Sequence, residues 1–390
     1  MFYDFDEIIE RRGTNSLKYD FARERGMPDD LLPLWIADMD FRAPREVTDA
    51  LAARVAHGVF GYAGPLQDYF DALGAWFEKR HAWKCDPRRF VQTSGVVHAF
   101  STLIRAFTRE GDAVVVCQPV YYPFESAVRT NGRKLVVSEL RETDGRYAVD
   151  FEDFERKIVE NDAKLFLLCS PHNPVGRVWT RAELERLGEI CLAHGVFVVS
   201  DEIHADFVYA PARHTVFASV KPEFEKNCAV CTAPSKTFNV AGLQISNVYL
   251  ADDARRAAFL RELERQGWFG PNLPGLVACC AAYEHGAPWL DALLAYLRGN
   301  IDFTRDFLRE RAPKIRFVDP EGTYLVWLDF RAFGLSDEAL RAKVVGEAKL
   351  WLDDGFIFGA GGNGFQRVNV ACPRATLRRA LERLAAAFAD

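Results

Sequence analysis

The stretch TAPSKTFNVAGLQ, from Thr232 to Gln244, carries one lysine among small, apolar and hydroxylic residues. Lysines ordinarily sit on solvated surfaces. Flanked by Pro234, Phe238, Val240 and Ala241, Lys236 is expected to be partly desolvated, which makes its neutral amine available to attack a carbonyl. For any lone lysine a structural ion pair is the alternative. Three other places share its setting just after a short apolar run. Ser94-Gly95-Val96 follows RRFVQT and leads into HAFSTLIRAF, where a helix N-terminus offers N–H groups to a phosphate, or to an ordinary cap. Asn173 sits between Pro171 and Pro174 in a stiffened loop, presenting its amide to a ligand or closing an Asx turn. Asp201 ends VFVVSD, and a carboxylate there must meet a cation or cap the next element, because alone it is costly.

The elements that must hold these groups read as alternating strands and helices. AVVVCQP, KLFLLCS, VFVVSDE and AVCTA are short buried runs separated by segments long enough for crossover helices, the pattern of a mainly parallel sheet covered on both faces. In such sheets ligands bind beyond the carboxyl ends of strands, where all four groups fall. Thr180 and Glu183 form a capping box that opens RAELERLGEICLAHG, and Gly195 stops it. After about residue 285 come a long helix (WLDALLAYLRGNIDFTRDFLRER), strands around IRFVDP and YLVWLDF, and a closing helix with Leu377, Leu381, Leu384 and Phe388 on one face. The expected division is an irregular segment over 1–45, interrupted by prolines and packing with the small domain, a large domain over 46–285, and a smaller α+β domain over 286–390.

With 390 residues, 49% of them hydrophobic, the chain can bury a large core, and its formal charge of −6 leaves no basic excess for nucleic acid or an anionic membrane. Small-molecule chemistry is favoured. No stretch approaches the ~18 uninterrupted apolar residues of a membrane span, and the opening MFYDFDEIIERRG lacks signal architecture, so a soluble cytoplasmic protein is expected. The nine cysteines follow no framework spacing and fall mostly in apolar runs, as reduced thiols do. Cys228 and Cys231 spell C-x-x-C inside a strand-like run, which favours packing over redox work. Trp35, Phe41, Trp268 and Phe269 read as core or as a substrate entrance.

A phosphate cup, an amide, a carboxylate and a desolvated amine arriving from successive strand ends match the needs of pyridoxal phosphate: donors for its phosphate, a partner for its phenolic oxygen, a carboxylate for its ring nitrogen and an amine for its aldehyde. SPHNPVGR, SDEIHADF and APSKTFNVAGLQ resemble the fold-type I pyridoxal-phosphate enzymes of the class I/II aminotransferase superfamily. LWIADMDF, FGYAGP, AAYEHGAPWL, TYLVWLDFR and RVNVACPR are similar to its MalY/PatB-type cystathionine β-lyase subgroup. The resemblance runs nearly end to end. It implies an α/β fold with a mainly parallel seven-stranded sheet, a smaller α+β C-terminal domain, and no metal. Lys236 would bond the cofactor aldehyde and move the substrate α-proton, Asp201 would pair with the ring nitrogen, and Asn173 with the phenolic oxygen. Tyr121 would stack on the ring, with Tyr122 as the competing assignment, while Ser94, Gly95, Val96 and Ser235 would hold the phosphate. Tyr62 in FGYAGP would reach the phosphate of a second subunit, implying a homodimer with shared sites. Arg367 would take the substrate α-carboxylate, with Arg374 its nearest rival.

Two departures carry weight. Many aminotransferases have arginine eight positions after the lysine, where this chain has Gln244, and a tyrosine where it has His204. Both changes are usual in the MalY/PatB subgroup. They favour a lyase releasing a thiol, pyruvate and ammonia from L-cystathionine or related cysteine S-conjugates. An aminotransferase using the same residues, and a cofactor-binding regulatory protein of MalY type, are the alternatives.

Overall fold

Seven short runs form the central sheet: β1 (Phe90–Thr93), β2 (Ala113–Gln118), β3 (Lys134–Glu139), β4 (Leu165–Cys169), β5 (Phe197–Asp201), β6 (Cys228–Thr232) and β7 (Ser246–Tyr249). They belong to a computed structural model that describes residues 3–389, so the outermost residues of the expected N-terminal segment and C-terminal domain lie outside the described residues. The strand order is β1-β7-β6-β5-β4-β2-β3. β2 pairs in parallel with β3 and β4, and β4, β5 and β6 continue in parallel, while β7 runs antiparallel to both its neighbours. The expected seven-stranded, mainly parallel sheet is therefore present. Every residue of β2, β4, β5 and β6 is buried, which is why these strands read as continuous apolar runs without alternation. Cys169 pairs with Asp201, and Asp201 with Cys231, so the carboxyl ends of β4, β5 and β6 lie level and their loops open at one edge.

Local signals behave as their chemistry requires. The helix Arg181–Ala193 starts on a reciprocal capping box between Thr180 and Glu183. Cys228 and Cys231 are buried within β6, and all nine cysteines are free. Among the described residues no helix is long and apolar enough to cross a membrane.

A second, antiparallel sheet follows, ordered β8-β9-β11-β10, from β8 (Arg316–Val318), β9 (Leu325–Asp329), β10 (Asp353–Asp354) and β11 (Phe365–Asn369). The helices Ala287–Arg311 and Arg374–Ala387 pack together, and Leu377, Leu381, Leu384 and Phe388 are buried.

The N-terminal segment ties the two sheets together. Leu32–Pro33 pairs in parallel with Leu350–Trp351, and Asn369 Nδ2 donates to the carbonyls of Ile36 (2.8 Å) and Asp38 (2.6 Å). From the large sheet's side, Asn239 Nδ2 donates to the Met39 and Phe41 carbonyls at 2.9 and 2.8 Å. Its own charges close on each other: Arg11 meets Asp38 and Asp40, each at 2.7 Å, and the buried Lys18 ammonium meets Asp40 at 2.8 Å. The stretch 35–40 is thereby fixed against both halves of the molecule.

Candidate active site

The loops leaving the carboxyl ends of the large sheet converge on a cavity of about 270 Å³. Ser94, Gly95 and Val96 reach it from β1, Tyr121 from β2, Asn173 from β4, Asp201 and His204 from β5, and Ser235 and Lys236 from β6. Arg367 arrives from β11 of the small sheet. Arg374 points elsewhere, donating to Asn300 Oδ1 at 2.6 Å and lying over the Phe303 ring. Tyr62 is fully exposed in the loop before the helix Gln67–His81 and does not line this cavity. Nor do the side chains of Trp35, Phe41, Trp268 or Phe269: Trp35 stacks on Trp351 at 4.5 Å, Phe41 is core, Trp268 packs on His98, and Phe269 is exposed.

Lys236 lies in the single helical turn Pro234–Thr237, where its Nζ donates to the Ala37 carbonyl at 2.6 Å. Burial lowers its pKa to about 8; Arg367 pushes the same way, and Asp38 and Asp201 oppose it. Such an amine gives up its proton far more readily than an ordinary lysine, and a minor but useful fraction of it is neutral near physiological pH. Burial raises the Asp201 carboxyl to about 7, against the Ile203 N–H that it accepts at 3.1 Å, with Glu202 adding to the rise and Lys236 countering it. His204 is driven down to about 3 by burial, with Lys236 and Arg367 acting in the same sense. It therefore stands as a neutral imidazole, and its buried Nδ1 has no hydrogen-bond partner among the described residues.

The helix Val96–Phe107 starts at Gly95 with no side chain capping it, and a Cβ on Gly95 would meet nothing within 4 Å. Its first N–H groups are open to an anion. Ser94 Oγ sits 3.0 Å from His98 Nδ1 and Ser235 opens the lysine's own turn. Gln244 lines the same cavity, whose described lining contains no lysine or arginine besides Lys236 and Arg367. A phosphate, a carbonyl, a ring nitrogen and a phenolic oxygen would each find a complementary group here, so the residues fit pyridoxal phosphate.

The family model described as aminotransferase class I and II matches residues 29–384. The chain belongs to this family. Within the aminotransferase family it is 46% identical to cystathionine β-lyase PatB of Bacillus subtilis (strain 168), across 99% of this chain and 100% of that protein. It is 35% identical to protein MalY of Escherichia coli (strain K12), across 97% of this chain and 96% of MalY. The solved structure of cystalysin from Treponema denticola, which contains a pyridoxal 5′-phosphate cofactor, matches with a TM-score of 0.96 at 36% identity, covering 100% of this chain and 99% of that one. The fold is that of the fold-type I pyridoxal-phosphate enzymes, and the chain groups with the MalY/PatB type.

In this member of the aminotransferase family Arg367 is held from three separate parts of the chain. Its Nη1 donates to Asn173 Oδ1 (3.0 Å), and its Nη2 to the Trp35 carbonyl (2.8 Å) and to the Asp353 carboxylate. The guanidinium lies 4.9 Å above the Phe358 ring, and its buried Nε has no partner among the described residues. Burial lifts Asp353 to about 6 in spite of that cation. Asp353 and the carbonyls of Trp35 and Ala37 went unread in the sequence; the LWIADMDF motif that carries the carbonyls was visible there as resemblance only. Tyr121 is tied to Asn173 through its N–H, 3.0 Å from the Asn173 carbonyl. Its ring lies 5.5 Å from the more exposed Tyr122, and burial raises its phenol well above the ordinary range.

Proposed function

We propose that this protein is a pyridoxal 5′-phosphate-dependent carbon–sulfur β-lyase that cleaves L-cystathionine or a related cysteine S-conjugate to a thiol, pyruvate and ammonia. The observation that carries the reading is the buried Lys236 amine, its pKa lowered to about 8, sharing one cavity with Asp201, Asn173 and Arg367, in a chain 46% identical to a cystathionine β-lyase. The cofactor, when bound, supplies an electron sink for charge developing at the substrate Cα. Lys236 would hold the cofactor and then take the Cα proton, for which an amine of near-neutral pKa is well matched. Asp201 would face the ring nitrogen and keep it protonated. Asn173 and the neutral His204 would face the phenolic oxygen, with Tyr121 against the ring. The α-carboxylate would be received by the fork of Arg367. Loss of the Cβ substituent as a thiolate, followed by addition of water, accounts for all three products. From cystathionine the thiol is homocysteine.

Ser94, Gly95, Val96 and Ser235 would hold the phosphate, yet the described lining gives it no dedicated cation. That gap supports a second subunit. Tyr62, Phe60 and Leu66 are exposed on one loop, and Ala63 of that loop approaches Gly270, beside the exposed Phe269. We infer that this apolar surface forms a homodimer in which Tyr62 of one chain completes the phosphate site of the other. Residues 46–285 would be the cofactor-binding domain, 286–390 the small domain, and 1–45 the segment that joins them. The nine free cysteines suit a cytoplasmic location.

The deciding experiment supplies L-cystathionine without a keto acid and follows pyruvate and free thiol together. Equal, sustained release of both is expected. Turnover only after addition of a keto acid, with formation of a new amino acid, would establish an aminotransferase instead. Sedimentation should give a dimer, and Tyr62→Ala should weaken cofactor retention; a monomer retaining full activity would refute the shared site.

A further inference from the structure

Behind the cavity wall lies a set of ionisable side chains that the proposed reaction does not use. Glu202, the neighbour of Asp201, is fully buried. Its Oε1 accepts hydrogen bonds from Ser200 Oγ at 2.8 Å and the Phe217 N–H at 2.9 Å, and its Oε2 lies 2.7 Å from His214 Nε2. Only 2% of the His214 side chain is exposed. Its ring meets that of His81 edge to face at 5.4 Å, and His81 Nε2 lies 3.0 Å from Asp206 Oδ1. Asp206 Oδ2 accepts from Thr237 Oγ1 at 2.7 Å. Two carboxylate–imidazole pairs thus run back to back behind the site, one ending beside Asp201 and the other beside Lys236.

Adjacent buried carboxylates oppose each other's ionisation, and a charge left unpaired in the interior is costly. Which of Asp201 and Glu202 is compensated, and from which side, therefore decides which one presents its charge to the cavity. Glu202 has an imidazole and two neutral donors on the side away from the cavity. Among the described residues Asp201 accepts only the Ile203 N–H, leaving its carboxylate available toward the cavity. The other ionisable groups that influence this pair are Lys236, the thiols of Cys169, Cys228 and Cys231, and the phenol of Tyr121. Burial keeps the thiols and the phenol protonated. Around the second pair, Asp206 senses Arg80 and Tyr283 senses Asp206.

We propose that His214 is a positioning residue for Asp201: its hydrogen bond holds the Glu202 carboxylate turned away from the cavity, so that Asp201 is the carboxylate presented to it. This rests on the reading in which Asp201 faces the ring nitrogen of the cofactor. Glu202→Gln removes the neighbouring charge while keeping an oxygen for Ser200 and Phe217. His214→Leu removes the group that holds Glu202 Oε2 and leaves an apolar side chain in its place.

The measurement is the retention of pyridoxal phosphate by the full-length chain in equilibrium dialysis between about pH 5 and about pH 8. Retention should fall on the acid side as Asp201 is protonated. Glu202→Gln should move that edge to lower pH, and His214→Leu to higher pH because a Glu202 no longer held back brings its charge closer to Asp201, each by about half to one unit, which is about three- to tenfold in affinity at a pH on the edge. The double variant should follow Glu202→Gln. A purely structural role would weaken retention at every pH without opposite displacements, so shifts of the same sign, or none, overturn the proposal. Glu202→Gln is nearly isosteric, so if His214→Leu fails to fold, the sign of the Glu202→Gln shift decides. Asp201→Asn separates the two levels. If it abolishes the edge while the other variants leave theirs in place, the pair is not a positioning element; if the edge survives Asp201→Asn, the reading of Asp201 itself fails, and the proposal with it.

Discussion

Arg367 Nη1 donates to Asn173 Oδ1 at 3.0 Å, joining a strand of the small sheet to a loop of the large one at the wall of the cavity. The same guanidinium is braced by Asp353 and the Trp35 carbonyl, so three separate parts of the chain fix its plane before any substrate arrives. A fork held in this way loses little freedom on meeting a carboxylate. Arg367→Lys keeps the charge and loses the paired geometry. It should lower kcat/KM by about 100- to 1000-fold, mainly through KM, the size expected for two charge-assisted hydrogen bonds. Steady-state kinetics on L-cystathionine would check this; an unchanged KM would remove Arg367 from the substrate site.

Lys236 makes a different prediction, about proton affinity. In the cofactor-free protein its amine loses a proton at about 8, against 10.5 for an ordinary lysine, chiefly because it is buried. The neutral amine is the reactive form, and its fraction grows as pH rises through that value. Modification of Lys236 by a small amine-directed reagent, read by peptide mass, should therefore reach half its maximal rate near pH 8 while surface lysines still lag. Lys236→Ala should abolish borohydride-fixed cofactor and turnover together. Persistence of either would transfer the role to another residue.

The strand-end groups were legible in the sequence because each directly follows a strand whose apolar run is unmistakable: Asn173 after Cys169, Asp201 as the last residue of β5, Lys236 after Thr232. The sheet's parallel order was legible for the same reason. Trp35 and Ala37 were not, since they contribute carbonyl oxygens, which every residue type possesses. Asp353 was hidden in a two-residue strand, and its partnership with Arg367 depends on β10 pairing with β11 across the chain. Prolines marked the first 45 residues as irregular, but local composition does not record that Asn239 and Asn369 would hold 35–40 from opposite sides. The His81, Asp206, His214 and Glu202 pairs are likewise products of the fold, brought together from a helix end, a strand end and the loop between β5 and β6.

Gly176 shows how tightly the Asn173 loop is seated. Its φ is +71°, and its carbonyl accepts the N–H groups of Glu321 (2.8 Å) and Gly322 (2.9 Å). A Cβ there would come within 2.6 Å of Pro320 Cβ and 2.9 Å of Pro320 Cα. Gly176→Ala therefore combines left-handed backbone strain of about 1–2 kcal/mol with overpacking of about 1–3 kcal/mol. A fall in Tm of about 3–8 °C is expected, with weaker cofactor retention because Asn173 moves with the loop. A variant with unaltered Tm would show that the segment at Pro320 yields freely.

Asp201 links the site to stability with a definite sign. In the cofactor-free protein burial raises its carboxyl from 3.8 to about 7, so between those values the folded chain keeps a proton that the unfolded chain has lost. The folded state then binds more protons, and its stability falls as pH rises through the window. Below it the buried group is neutral; above it a charge is buried. Asp201→Asn does not titrate and should gain on the native protein as pH climbs from about 4 to about 7, levelling off above with an advantage on the order of 2–4 kcal/mol. Guanidinium unfolding midpoints taken near pH 5 and near pH 8 would measure it. With pyridoxal phosphate bound the ranking should invert at the higher pH, because Asp201 then has a cation to face and the amide gains nothing from it. A constant difference between the two proteins at both pH values, with or without cofactor, would mean that Asp201 does not change its charge in this range.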